Sequence, residues 1–152
     1  MIEKLDQLVD EIGALHSKLL VIVGNSQGGK TVLMKALALK RNLSPLNVSA
    51  EMAARLAALP PKQRHLQAVS ILRELADLHA KGDLLLLDNL EVLFDKTLQL
   101  DPLDLLKRHA HSRRVVAIWP GELSNSRLTY ANMGHPEHQD YSLDGVVPFE
   151  IQ

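Results

Sequence analysis

Apolar residues follow two patterns along this chain, and their alternation predicts the fold. Residues 2–16 space Leu5, Leu8, Val9, Ile12 and Leu15 three and four apart, with Glu3, Lys4, Asp6, Asp10 and Glu11 between them. That spacing predicts an amphipathic helix. Leu19 to Val23 are continuously apolar and include two valines and an isoleucine, the pattern of a strand buried on both faces of a parallel sheet. A glycine-rich turn and a helix from about Lys30 to Arg41 follow. Leu46 to Val48 suit a short strand, and Ser49 is the expected N-cap of an Ala-rich helix that Pro60-Pro61 stops. Helical spacing returns through Leu66, Val69, Leu72 and Leu75 or Ala76 over residues 62–80, and Gly82 closes it. Leu84 to Leu87 read as the next buried strand.

Asp101-Pro102 opens a helix running to about His111. VVAIW at 115–119 reads as a further strand, and Val146 to Ile151 as a closing strand interrupted by Pro148. Between these two strands, residues 120–145 read as a long polar loop. Strands alternating with helices predict an α/β three-layer fold with a mainly parallel five-stranded sheet, and residues 1–152 form one domain.

Composition narrows the setting. With 152 residues and 46% hydrophobic content, the chain can bury one proper core. A net charge of −1 lacks the basic footprint of an autonomous nucleic-acid-binding domain, so any DNA contact is expected only as part of an assembly. Cysteine is absent, which removes disulfides, thiolate metal sites and thiol catalysis. No run reaches the roughly eighteen apolar residues of a membrane span, and the opening MIEKLDQLVDE is too acidic for a signal peptide. The expectation is a cytoplasmic protein with no membrane partner.

The chemistry concentrates at two strand ends. Gly24, Asn25, Ser26, Gln27, Gly28, Gly29, Lys30 and Thr31 satisfy G-x-x-x-x-G-K-[ST], the phosphate-binding loop. Glycines let successive backbone N–H groups converge on phosphate oxygens, and the following helix adds its free N–H groups and positive dipole end. Lys30 is expected to reach the β- and γ-phosphates of ATP, and the Thr31 hydroxyl to ligate Mg²⁺. Asp88 ends the LLLL strand on the same sheet edge and is expected to support that metal. The expected fold is therefore a P-loop NTPase.

Several classes of such proteins are tested by their motifs. The [NT]KxD base-reading motif of guanine-specific GTPases does not occur, Leu123-Ser124 lacks the glycines of the ABC signature, and the arginines are too scattered for the lid of a small-molecule kinase. With Walker A at 24–31, Walker B at 84–88 and a sensor-like strand at 115–119, the chain resembles the additional-strand ATPases, and specifically an AAA+-like core lacking the helical lid. LLLLDNLEVLF at 84–94 and AIWPGE at 117–122 resemble the BrxF family, the small P-loop proteins of type III BREX phage-exclusion systems. That resemblance implies a bacterial phage-defence component whose partners are other BREX proteins.

Where the resembling ATPases carry a glutamate after the Walker B aspartate, this chain has Asn89, which can hydrogen-bond a water but cannot take its proton. Hydrolysis by that route is expected to be weak, with Glu91 as the backup carboxylate. Arg127 is the first choice for an arginine donated between subunits of a homo-oligomer, with Arg113 and Arg114 as rivals whose plainer role is to complement the preceding helix C-terminus. Asn125 and Trp119 are candidates for a γ-phosphate sensor, although Trp119 suits packing better. The polar segment holds Tyr130, His135, His138 and Tyr141, and the two histidines are too few for a zinc site. Three readings follow: a slow or partner-stimulated ATPase, a non-hydrolysing nucleotide-gated binding module, and a small-molecule kinase.

Overall fold

The computed structural model describes residues 1–24, 27–130 and 139–151. In chain order its elements are α1 (Ile2–Glu11), β1 (Leu19–Gly24), α2 (Gln27–Arg41), β2 (Leu46–Asn47), α3 (Val48–Ala57), α4 (Arg64–His79), β3 (Leu84–Asp88), α5 (Pro102–His109), β4 (Arg114–Ile118), β5 (Glu122–Ser124), β6 (Arg127–Tyr130), β7 (Gln139–Ser142) and β8 (Val147–Ile151). Short 3-10 turns follow α1 and β3 and precede α4.

The apolar runs become the middle of one sheet. Its order is β2-β3-β4-β1-β8, and all four pairings are parallel. Because side chains alternate across a strand, the leucine and valine runs serve two cores. Leu20, Ile22, Leu84, Leu86 and Val116 pack under α1 and α2. Val21, Val23, Leu85, Leu87 and Val115 pack under α3, α4 and α5. The sheet is thus covered on both faces, the arrangement that continuous apolar strands require. Pro148 does not interrupt β8, which pairs with β1 from Val147 to Ile151. As an edge strand, β8 has one side on which no donor is needed.

Two local expectations are corrected. The N-cap of α3 is Asn47, whose Oδ1 accepts from the Ala50 N–H at 3.0 Å. Ser49 lies inside that helix and turns instead toward the end of β3, its Oγ donating to the Asn89 carbonyl at 2.7 Å. The second correction is larger. The segment expected to be a loop carries an antiparallel sheet of order β5-β6-β7. Asn125 and Ser126 link β5 to β6 with φ of 51° and 60°, the left-handed pair that suits a two-residue hairpin.

Candidate functional site

Parallel strands end on a common edge, so whatever follows each of them converges there. Gly24, Asp88 and Trp119 lie at or just beyond the ends of β1, β3 and β4. With β4 between the other two, Gly24 and Asp88 stand about 10 Å apart across the sheet.

Gly24 has a steric reason of its own. A Cβ there would lie 2.3 Å from the Ile151 carbonyl oxygen and 2.6 Å from its Cγ1, so the closeness of β8 demands glycine. A Cβ at Gly28 would meet nothing within 4 Å, so packing does not select that residue. Gln27 to Lys30 form the first turn of α2, with Thr31 next, and the first turn of a helix presents its N–H groups outward from the helix end. Asn25 and Ser26 lie outside the described residues.

Lys30 is the only buried charged or polar residue among the described residues, at 3% exposure. Its Nζ donates to the Trp119 carbonyl at 3.0 Å. Burial holds the ammonium below its ordinary pKa, while the Glu91 and Glu122 carboxylates pull it back up. A desolvated cation is costly unless oxygen atoms surround it. Thr31, half-buried, follows it in α2.

Asp88 is half-buried, and its Oδ1 accepts from the Asn89 N–H at 2.8 Å. The residue that raised the catalytic question proves to be a structural knot. Asn89 has φ 56°, a left-handed conformation that costs most L residues about 1–2 kcal/mol and that Asn tolerates. Its Nδ2 donates to Asn47 Oδ1 at 3.1 Å, and its carbonyl accepts from Ser49 N–H at 2.9 Å. The end of β3 is thereby tied to the start of α3. Glu91 opens a 3-10 turn (Glu91–Phe94) and is exposed, yet it is near enough to Lys30 to raise its pKa.

The arginine candidates separate. Arg127 sits on β6 rather than in a loop, and its Nε donates to Asp140 Oδ1 on β7 at 2.7 Å. Arg113 and Arg114 lie at the N-terminal end of β4, on the edge opposite Lys30, about 16 Å away along the strand. Arg113 binds the Ala76 carbonyl and Asp77, whereas Arg114 grips Asp83 through Nε and Nη2 and reaches the Val9 carbonyl. They therefore brace α4, α1 and the turn before β3, not the C-terminus of α5. Asn125 occupies the hairpin turn, which accounts for its presence.

Sequence reasoning missed Glu122 and the aromatic floor beside the site. The chain has only five aromatic residues of the Phe, Trp and Tyr types, and four of them meet here. Phe94 stacks on Tyr130 at 4.0 Å between ring centres, and both Phe94 and Tyr141 meet Trp119 edge-on at 5.4 and 5.5 Å. Trp119 is fully buried, and its indole N–H donates to the Thr129 carbonyl at 2.9 Å. Burial, with Asp101 and Asp140 nearby, pushes the Tyr141 phenol up to about 12. The periodicity of 120–145 gave no hint of this docking; the one available signal was an Asn-Ser pair between short alternating stretches.

Among the described residues no three His, Cys, Asp or Glu side chains converge as a metal cage. His135 and His138 lie outside the described residues. One carboxylate and one hydroxyl on a common edge, with a buried ammonium nearby, match the donor set that Mg²⁺ uses when phosphate oxygens and water complete its shell. Lys30, Thr31 and Asp88 thus fit an Mg²⁺-phosphate group chemically. No helix is long and apolar enough to cross a membrane, among the described residues. No protein-family model matches the chain, and no curated protein or solved structure matches it.

Proposed function

We propose that this protein is a P-loop ATPase of low intrinsic activity, with an AAA+-like core, binding ATP and Mg²⁺ at the C-terminal edge of its parallel sheet. The observation that carries this reading is Lys30: a cation buried at 3% exposure, at the start of the helix that follows a central strand. Lys30 and the N–H groups of the first turn of α2 would hold the phosphates, and Thr31 and Asp88 the metal. Bound Mg²⁺ would neutralise charge developing on the transferred phosphoryl group. Glu91 is left to orient or deprotonate water, since the Asn89 amide is engaged with Asn47. The strand order, with β4 inserted between β1 and β3, supports the additional-strand assignment.

Low activity suits a switch, in which the bound state matters more than turnover. We assign the chain to that role as an assembly subunit in BREX phage defence, working with other BREX proteins and meeting DNA only through the assembly. A homo-oligomer would let a neighbour supply Arg127, provided its bond to Asp140 opens. The non-hydrolysing reading draws support from Asn89, whose backbone and amide are both committed to structure. A small-molecule kinase would instead transfer phosphate to an acceptor.

Binding of a fluorescent ATP analogue to the wild type and to Lys30→Ala tests the site, and equal affinities would overturn it. ATP turnover against protein concentration, with Mg²⁺ and with or without double-stranded DNA, tests the activity. Specific activity rising with concentration supports a site completed between subunits. Binding with no turnover under every condition selects the nucleotide-gated module.

A further inference from the structure

On the sheet edge opposite Lys30, a cavity of about 250 Å³ opens between α4 and α5. Arg73, Arg108, His109, Ser112 and Arg113 line it, and Asp77 is the one carboxylate among its lining residues. Arg108 is held by Asp104, and Arg113 by Asp77 and the Ala76 carbonyl. Arg73 reaches Ser70 Oγ at 3.5 Å, and among the described residues no carboxylate lies within ion-pair distance of it. Burial, then Arg113, lowers the pKa of His109; Asp77 opposes them, and Arg73 adds the smallest lowering influence.

Basic residues in the last turn of α5 complement the negative end of that helix, which explains Arg108 and His109. It does not explain Arg73, which projects from the middle of α4, or Arg113, which comes from the turn before β4. Cations gathered from three elements repel one another, and a bound anion removes that cost. Guanidinium forks match the tetrahedral oxygens of phosphate in geometry as well as charge. We propose that this cavity is a second, separate anion site that binds a phosphate group, either the free ion or a phosphate monoester. Arg73 and Arg113 supply the charge-assisted hydrogen bonds, and the His109 imidazole adds a further donor. The site is independent of nucleotide binding at Lys30 and stands or falls by itself.

The test follows the His109 ring signals by NMR in the Lys30→Met protein, which removes competition from the other site. Inorganic phosphate and phosphoserine are titrated in turn at constant ionic strength. We expect saturable movement of the His109 signals. We also expect the imidazole to titrate at higher pH when phosphate is bound, since a dianion among Arg73, Arg108, Arg113 and Asp77 favours its protonated form. Arg73→Gln should weaken binding about tenfold or more. Tighter phosphoserine binding would identify a phosphorylated larger molecule as the natural source, and tighter inorganic phosphate the free ion. His109 signals that ignore both probes, or an Arg73→Gln protein that binds as the wild type does, would overturn the proposal.

Discussion

The two sheets of this protein are held by opposite means. The parallel sheet is central and covered by helices on both faces, and its strands are almost wholly apolar. The antiparallel sheet is built of strands three and four residues long with mostly polar side chains. It is held through Leu128 and the rings of Tyr130 and Tyr141, which dock on Phe94 and Trp119. A sheet of the first kind is stabilised all along its length, whereas one of the second kind depends on a few contacts at one place. The candidate site lies where the two meet.

Substitutions should separate the two. Leu86→Ala, in the middle of β3, should cost about 4 kcal/mol, with far-UV circular dichroism and Trp119 fluorescence reporting one coincident urea transition. Gly121→Ala should cost about 3 kcal/mol, because its Cβ would fall 1.6 Å from the Thr129 carbonyl oxygen. There the two probes should part: Trp119 becomes exposed at lower urea than the helices unfold. Coincident transitions in Gly121→Ala would show that the small sheet is no separate unit.

Asn89→Ala should cost about 1–2 kcal/mol through its left-handed backbone and the lost bond to Asn47, while Asn89→Gly should recover much of that loss. Equal losses in both variants would assign the whole effect to the side chain. Titration should also divide the molecule. The depressed pKa of His109, between α4 and α5, contributes stability that is present above its ordinary value of 6.5 and lost as pH falls through the lower folded value. The raised pKa of Tyr141, in the small sheet, contributes stability present below 10 and lost as pH rises toward about 12. His109→Gln should flatten the acid limb of the stability curve, and Tyr141→Phe the alkaline limb. The smallest effect should come from Arg127→Ala, within about 0.5 kcal/mol, since its pair with Asp140 is half exposed.

The same contrast explains what could be read from the sequence. Leu19–Val23, Leu84–Leu87 and VVAIW were legible because a strand buried on both faces must be apolar at every position. The candidate motif stands out in the sequence because its glycines and Lys30 have fixed spacing next to one of those strands; what the structure adds is the burial of Lys30. The small sheet was not, because ELS, RLTY and QDYS bury few side chains each and their docking depends on Phe94, which is remote in sequence. The Ser49 cap failed because Asn47 and Ser49 both favour that position, and Asn89, remote in sequence but beside them in the sheet, bonds the Asn47 amide and takes up the Ser49 hydroxyl. Glu122 escaped notice because only the fold turns it toward Lys30.

Trp119 gives this arrangement a mechanical meaning. Its backbone N–H donates to Ile22 on β1, its carbonyl receives the Lys30 ammonium, and its indole N–H is fastened to Thr129 on the small sheet. A residue clamped at three points, two on its backbone and one on its ring, transmits a pull in place of absorbing it. Whatever draws Lys30 off that carbonyl therefore loosens one of the three fastenings of the residue on which the small sheet is hung. As the single tryptophan of the chain, it would also report that event by its own emission.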